Sequence, residues 1–113
     1  MDVGAAGEQL AAAYLRRKGH HILATNYRCR MGELDIVSQD GGVLVFCEVK
    51  TRRGRSKGEG FESVTPRKQR RIRRLAEWFM ISEYGEMRTC RFDVISLGWE
   101  GGRPRLLHLE NAF

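Results

Sequence analysis

Three charged side chains interrupt otherwise apolar runs: Asp35 in Gly32-Glu33-Leu34-Asp35-Ile36-Val37, and Glu48 with Lys50 in Val43-Leu44-Val45-Phe46-Cys47-Glu48-Val49-Lys50. A carboxylate or ammonium among aliphatic neighbours is costly unless a partner meets it. Two carboxylates brought together would share a divalent cation most simply, and their hard oxygen donors suit Mg²⁺ or Mn²⁺. An ammonium cannot ligate that cation, but it can position a water or offset charge developing on a phosphoryl group. With an ordinary lysine pKa of about 10.4, Lys50 is no general base at neutral pH.

The elements that must hold these groups follow from local pattern. Asp40-Gly41-Gly42 carries the Asp-Gly signal of a tight turn, so the two runs read as an antiparallel hairpin. Residues two apart on a strand share a face, which places Glu48 and Lys50 with Leu44 and Phe46. A register that sets Asp35 beside Glu48 completes the cluster. The competing reading is an ordinary cross-strand salt-bridge set on a solvated face, worth about 0–1 kcal/mol. The apolar residues sharing that face stand against it.

Residues 3 to 18 read as a helix, with Ala5, Ala12 and Leu15 apolar, Arg16-Arg17-Lys18 near its end and Gly19 as a stop. Glu8 projects along the apolar stripe, and its alternative role is a first-turn acid favoured by the helix dipole. His21 to Cys29 alternates as a strand in which Tyr27 packs and Arg28 faces solvent. His20-His21 lacks the further donors that a metal site needs. Thr51 to Ser63 is Gly-rich and basic and reads as a mobile loop, either one able to close on a substrate backbone or a solvated connector. Thr65-Pro66 then starts a helix reaching about Tyr84. Ile72, Leu75, Ala76, Phe79 and Met80 form its buried stripe, while Arg67, Lys68, Arg70, Arg71, Arg73 and Arg74 crowd its first turns. Arg91 to Leu97 and Arg105 to Glu110 are short strands joined at Trp99-Glu100-Gly101-Gly102, and Asp93 reads as a structural acceptor for an arginine.

A chain of 113 residues suffices for one domain spanning residues 1–113, with one core. Its net charge of +6 is unevenly spread: from Lys50 to Arg74, eleven Lys and Arg stand against two acids, a local +9 that leaves −3 for all other residues. Clustered cations on a neutral-to-acidic body imply a polyanionic partner, most often nucleic acid. Arg52, Arg53, Arg55 and Lys57 in the loop, and Arg67, Lys68, Arg70, Arg71 and Arg74 on the helix, are the candidate phosphate contacts. No apolar run approaches the ~20 residues of a membrane span, and the N-terminus lacks a signal peptide's apolar core, so no membrane partner is expected. Cys29, Cys47 and Cys90 make an odd count without Cys-x-x-Cys spacing, which argues against disulfides and zinc and for a reduced cytoplasmic setting.

Asp35, a hairpin's length of chain and then Glu48-Val49-Lys50 resemble the signature of the restriction-endonuclease-like (PD-D/E-x-K) nuclease superfamily. The wider run Gly32-Glu33-Leu34-Asp35 with Phe46-Cys47-Glu48-Val49-Lys50-Thr51-Arg52-Arg53 is similar to the bacterial YraN family within it, and to archaeal Holliday junction resolvases. The likeness runs from Gly7-Glu8 to Arg91-Phe92-Asp93-Val94, with Cys47 standing where an aliphatic residue such as Val is expected. It implies an α/β (α+β) domain of restriction-endonuclease-like fold, order α-β-β-β-α-β-β, with a mixed central sheet flanked by helices. It further implies a metal-dependent endonuclease acting on branched DNA or on repair and recombination intermediates, although the residues themselves leave DNA and RNA open. In that reading Asp35, Glu48 and Lys50 are catalytic, Asp35 and Glu48 hold the metal, and Glu8 joins them. A homodimer would match the two-fold symmetry of four-way junctions. A non-catalytic nucleic-acid-binding protein of the same fold, and an interaction module with purely structural hairpin charges, are the alternatives.

Overall fold

The computed structural model describes residues 3–52 and 64–113; Arg53, Arg55, Lys57 and most of the expected basic loop lie outside the described residues. The elements are α1 (Val3–Arg17), β1 (His21–Cys29), β2 (Gly32–Asp40), β3 (Val43–Thr51), α2 (Pro66–Tyr84), β4 (Cys90–Glu100) and β5 (Arg103–Leu109). The strands form one sheet in chain order, antiparallel throughout except for the parallel pair β3 and β4. A parallel pair needs a crossover, and α2 supplies it. The expected mixed α/β (α+β) architecture, with the order α-β-β-β-α-β-β, is the one observed.

Each helix covers one face. On one side α1 packs Ala11, Ala12 and Leu15 against Ile36, Cys47, Ile95 and Leu97. On the other, α2 buries Ile72, Leu75, Ala76, Phe79 and Met80 against Leu34, Val37, Leu44, Phe46, Phe92 and Val94. The sheet thus divides the single core expected from chain length into two apolar layers; Phe79 centres the second, with Tyr27 and Phe46 edge-on to it at 5.2 and 5.9 Å between ring centroids. Full burial of such a side chain contributes about 1.5–3 kcal/mol, so the periodic apolar stripe, and not helix propensity, holds α2 in place. Its ends are those the local sequence specifies: the Thr65 hydroxyl accepts from the Lys68 N–H at 3.2 Å, Pro66 begins the first turn, and Gly85 closes the helix at φ 71°.

The differences from expectation have non-local causes. Thr51 is the last residue of β3, paired with Leu97, and the Arg52 N–H continues the contact by donating to the Leu97 carbonyl at 2.7 Å. The parallel ladder thus claims a residue that local composition assigns to the loop. β4 likewise extends to Glu100, leaving a turn at Gly101-Gly102. Helix α1 ends at Arg17, and Ala5 is exposed while Ala11 is buried in its place. Among the described residues no helix is long and apolar enough to cross a membrane.

Candidate metal centre and nucleic-acid interface

The ladder between β2 and β3 runs from Asp40↔Val43 to Ile36↔Cys47 and stops there. Asp35 and Glu48 are the next residues on either strand, so they face each other where the strands part. The break has a cause in β2: Leu34 packs in the α2-side core, whereas Ile36, two residues on, packs in the α1-side core. Strand alternation therefore fails at Asp35. Opposite it on β1, Asn26 has φ 53°, and the β1–β2 ladder skips this pair between Thr25↔Ile36 and Tyr27↔Leu34. A left-handed residue in a strand bends it locally. The bend turns the Asp35 carboxylate into the gap, where it accepts the Val49 N–H at 2.8 Å in place of a ladder bond.

Three more carboxylates converge there. Glu8, Glu33 and Asp35 each present an oxygen within 4.8 Å of the others. Asp35 is also hydrogen-bonded with Glu48. Burial, then the Glu48 charge, the shared hydrogen bond and the Glu8 charge push the Asp35 pKa up to about 7, with the Val49 N–H opposing them. The donors are all carboxylate oxygens without sulfur or imidazole, which fits a hard divalent cation, and a bound cation would relieve the repulsion that raises Asp35. Glu8 reaches the cluster because α1 lies close on β3 at Gly7: a Cβ there would run into Oγ1 of Thr51.

Lys50 Nζ lies 3.2 Å from Glu48 Oε1, both side chains being mostly buried. Burial works against the Lys50 charge, but the hydrogen bond with Lys68 and the Glu48 and Asp35 charges outweigh it and raise its pKa. Lys68 is lowered in turn, chiefly by its hydrogen bond to Lys50 and by the Lys50 charge. The first turn of α2 thereby joins the acidic centre to a basic surface. Lys68 lines a cavity of about 700 Å³ together with Met31, Thr65, Arg67, Arg70, Arg71 and Arg74. Arg73 is turned aside: its guanidinium stacks on Phe92 at 4.7 Å and Phe113 at 5.6 Å. Arg52 is half-buried at the end of β3, and its backbone is held by Leu97.

The family model described as uncharacterised protein family UPF0102 matches residues 7–97, from the glycine under which α1 meets β3 to the partner of Thr51. The chain belongs to this family. A UPF0102 protein of Symbiobacterium thermophilum is 51% identical over 112 residues, covering 98% of this chain and 95% of that protein. One from Pelotomaculum thermopropionicum is 50% identical over 114 residues, with 98% and 94% covered, and one from Pseudomonas aeruginosa 44% over 115 residues, with 99% and 92% covered.

In this UPF0102 chain the structure gathers Glu8, Asp35, Glu48 and Lys50 at one point and Arg67, Lys68, Arg70, Arg71 and Arg74 beside it. Glu33 has no role in the motif, although its spacing of two from Asp35 along a strand is a usable signal. Glu33 also pairs with Arg28 at 3.3 Å. Glu8 has no dipole role as a first-turn acid: α1 starts at Val3 and has no acid in its first turn. Of the histidine pair, His20 is buried, its Nδ1 2.9 Å from the Ser38 hydroxyl, while His21 is exposed. Asp93 is a structural acceptor, taking Arg91 Nε at 3.1 Å and the Asn111 N–H at 3.1 Å, with His108 Nε2 at 2.8 Å. All three cysteines are free.

Proposed function

We propose that the chain is a metal-dependent phosphodiesterase of the PD-D/E-x-K nuclease type, an endonuclease that acts on nucleic acid, with DNA favoured over RNA as the partner, at branched or repair intermediates. The observation that carries this reading is Asp35, a carboxylate raised to about 7 among like charges at the parting of two strands, with a lysine and a basic helix beside it. Raised carboxylates of this kind cluster at functional sites. Asp35 and Glu48, with Glu8 and Glu33 at the rim, would hold Mg²⁺ or Mn²⁺. Held there, such an ion would supply an activated water and would offset charge on the reacting phosphoryl group.

The chain's own residues do the rest. Lys50 stays protonated, so it donates: it positions the attacking water or hydrogen-bonds a phosphoryl oxygen as charge develops there. Lys68, at Lys50's side, adds a second amine on the path from the basic cavity to the acids. The cavity arginines bind backbone phosphates, which are read as charge and not as sequence. A symmetric homodimer would present two such centres to a four-way junction.

The test is cleavage of single-stranded, duplex, flap and four-way-junction substrates in Mn²⁺, with Asp35→Ala as control. Lys50→Ala should abolish cleavage while calorimetry still detects Mg²⁺; loss of Mg²⁺ binding in that variant would assign Lys50 to holding the strand instead. The arginine-lined cavity also favours a second reading, a binder without cleavage, because it needs no metal. Under either reading, replacing Arg70, Arg71 and Arg74 by alanine should flatten the slope of log affinity against log salt by about two or three units on duplex DNA. Such flattening without cleavage of any substrate would leave the binder.

A further inference from the structure

The outward face of α2 does not end with its arginines. At 3.6 residues per turn, Arg67, Arg70, Arg71, Arg74, Trp78 and Ile81 fall within about 100° of one another around the axis. All six are exposed, on the side away from the buried Ile72, Leu75, Ala76 and Phe79. Trp78 and Ile81 each stand 52% exposed. The other tryptophan, Trp99, packs against the α1-side core. Glu77 flanks the stripe and is the acid nearest to it in sequence.

We infer that Trp78 is a base-stacking platform and that α2 takes a nucleic-acid strand with unpaired bases. The inference rests on the nucleic-acid partner proposed above and narrows its class. Phosphates held by the arginines lay a strand along the helix axis. From Arg67 to Trp78 the helix rises about 16 Å, the length of a few nucleotides. A duplex keeps its bases stacked inside and offers the indole little, whereas an unpaired base brings a free π-face to it. Stacking of that kind tolerates any base. The charge on the rest of the stripe also decides between occupants: four arginines beside an aromatic suit a polyanion, and a second copy of the same stripe would set cation against cation. Lys68 lies ten residues before Trp78, about 15 Å along the axis. The acidic centre therefore meets the strand a few nucleotides from the unpaired base.

The experiment is done in EDTA, so that neither cleavage nor metal enters the reading. In a Trp99→Phe background Trp78 is the sole indole, and a ten-nucleotide single strand should quench its fluorescence while a blunt duplex of equal length leaves it nearly unchanged. With labelled strands and an otherwise unaltered chain, Trp78→Ala should weaken single-strand affinity roughly tenfold, about 1.4 kcal/mol, Trp78→Phe should retain most of it, and duplex affinity should hold. Absence of quenching, or equal losses for strand and duplex, overturns the platform. So does a homodimer in sedimentation that Trp78→Ala converts to monomer, since the indole is then an interface between copies. Failure of cleavage in Mn²⁺ with quenching intact counts against the nuclease reading alone.

Discussion

Asp35 and Asp93 are both strand aspartates of one sheet, separated by β3, and Cys47 feels them both: burial first, then the Asp93 and Asp35 charges, push its thiol up. Their surroundings are opposite. Asp93 is fully buried, and burial alone would raise it, yet the hydrogen bonds from His108, Arg91 and the Asn111 N–H hold it below the usual carboxylate range. Arg91 extends the set to Asp40 at 3.0 Å and Glu110 at 3.7 Å, and Tyr14 meets His108 at 3.0 Å. Asp35 has one backbone N–H and acids for neighbours, so burial and like charge win. A buried carboxylate with a full complement of donors is finished and holds the fold. One left among like charges holds its proton up to about neutral pH, and under the proposed function a bound cation would offset the same charge.

The largest effect should come from breaking the finished site. Asp93→Ala leaves Arg91 without its buried partner and the Asn111 N–H without its acceptor, and should cost about 3–5 kcal/mol in urea unfolding. For wild type, the depressed pKa means that the part of this stability tied to the Asp93 charge is present above the unfolded pKa near 4 and is lost as pH falls through the folded value. If Asp35→Ala without metal were the more destabilising of the two, the contrast would be wrong.

Asp35 should behave with the opposite sign. Its folded pKa of about 7 exceeds the unfolded value of 3.8, so the folded state binds the proton more tightly in between. Stability then falls as pH rises from about 4 to 7, by about 2–4 kcal/mol. Asp35→Asn should remove that fall and, at pH 8 without metal, melt higher than wild type. Mg²⁺ should raise the melting temperature of wild type and not of the variant. Parallel pH profiles for the two proteins would mean that Asp35 is as satisfied as Asp93.

How much of this contrast was written in the sequence depends on the range over which each contact forms. The hairpin turn, the capped α2 and its stripe from Ile72 to Met80 follow from neighbours within a few residues, and so does the meeting of Asp35 with Glu48. The parting of the strands does not, because it needs Asn26 on β1 to bend β2 against it. Lys68 turning to Lys50, Glu33 joining Glu8, and the Arg91–Asp93–His108 set all depend on how helices and strands distant in sequence are laid together. Thr51 reads as loop for the same reason: its partner Leu97 lies across the parallel crossover. A buried aspartate is legible in sequence, whereas whether it is finished or waiting is not.

A middle-sized effect should come from the contact that brings α1 to the unfinished site. Gly7→Ala places a methyl against the Thr51 side chain, and overpacking of this kind costs about 1–3 kcal/mol. Mg²⁺ affinity should fall with stability as Glu8 is pushed away. Thr51→Ala in the same chain frees the space, so the double variant should recover both, giving a non-additive cycle. Additive losses would place the strain elsewhere and leave α1 free of the centre.

The smallest effect sharpens the contrast most, because it removes one charge and little else. Glutamine at position 8 keeps the shape and hydrogen-bonding capacity of Glu8 and drops its charge, the least of the named influences that raise Asp35. Without a charge from α1 the Asp35 proton is held less tightly, so the fall in stability with pH should shift to lower pH and shrink. At pH 8 without metal, Glu8→Gln should gain a few tenths to about 1 kcal/mol, since clustered carboxylates repel. In Mg²⁺ the order should invert, because the variant has lost an oxygen donor of full charge and binds the ion more weakly. A purely structural Glu8 gives the other pattern: glutamine melts lower than wild type with or without metal, and Mg²⁺ affinity does not move. Two melts of each protein, with and without Mg²⁺, separate the cases by sign.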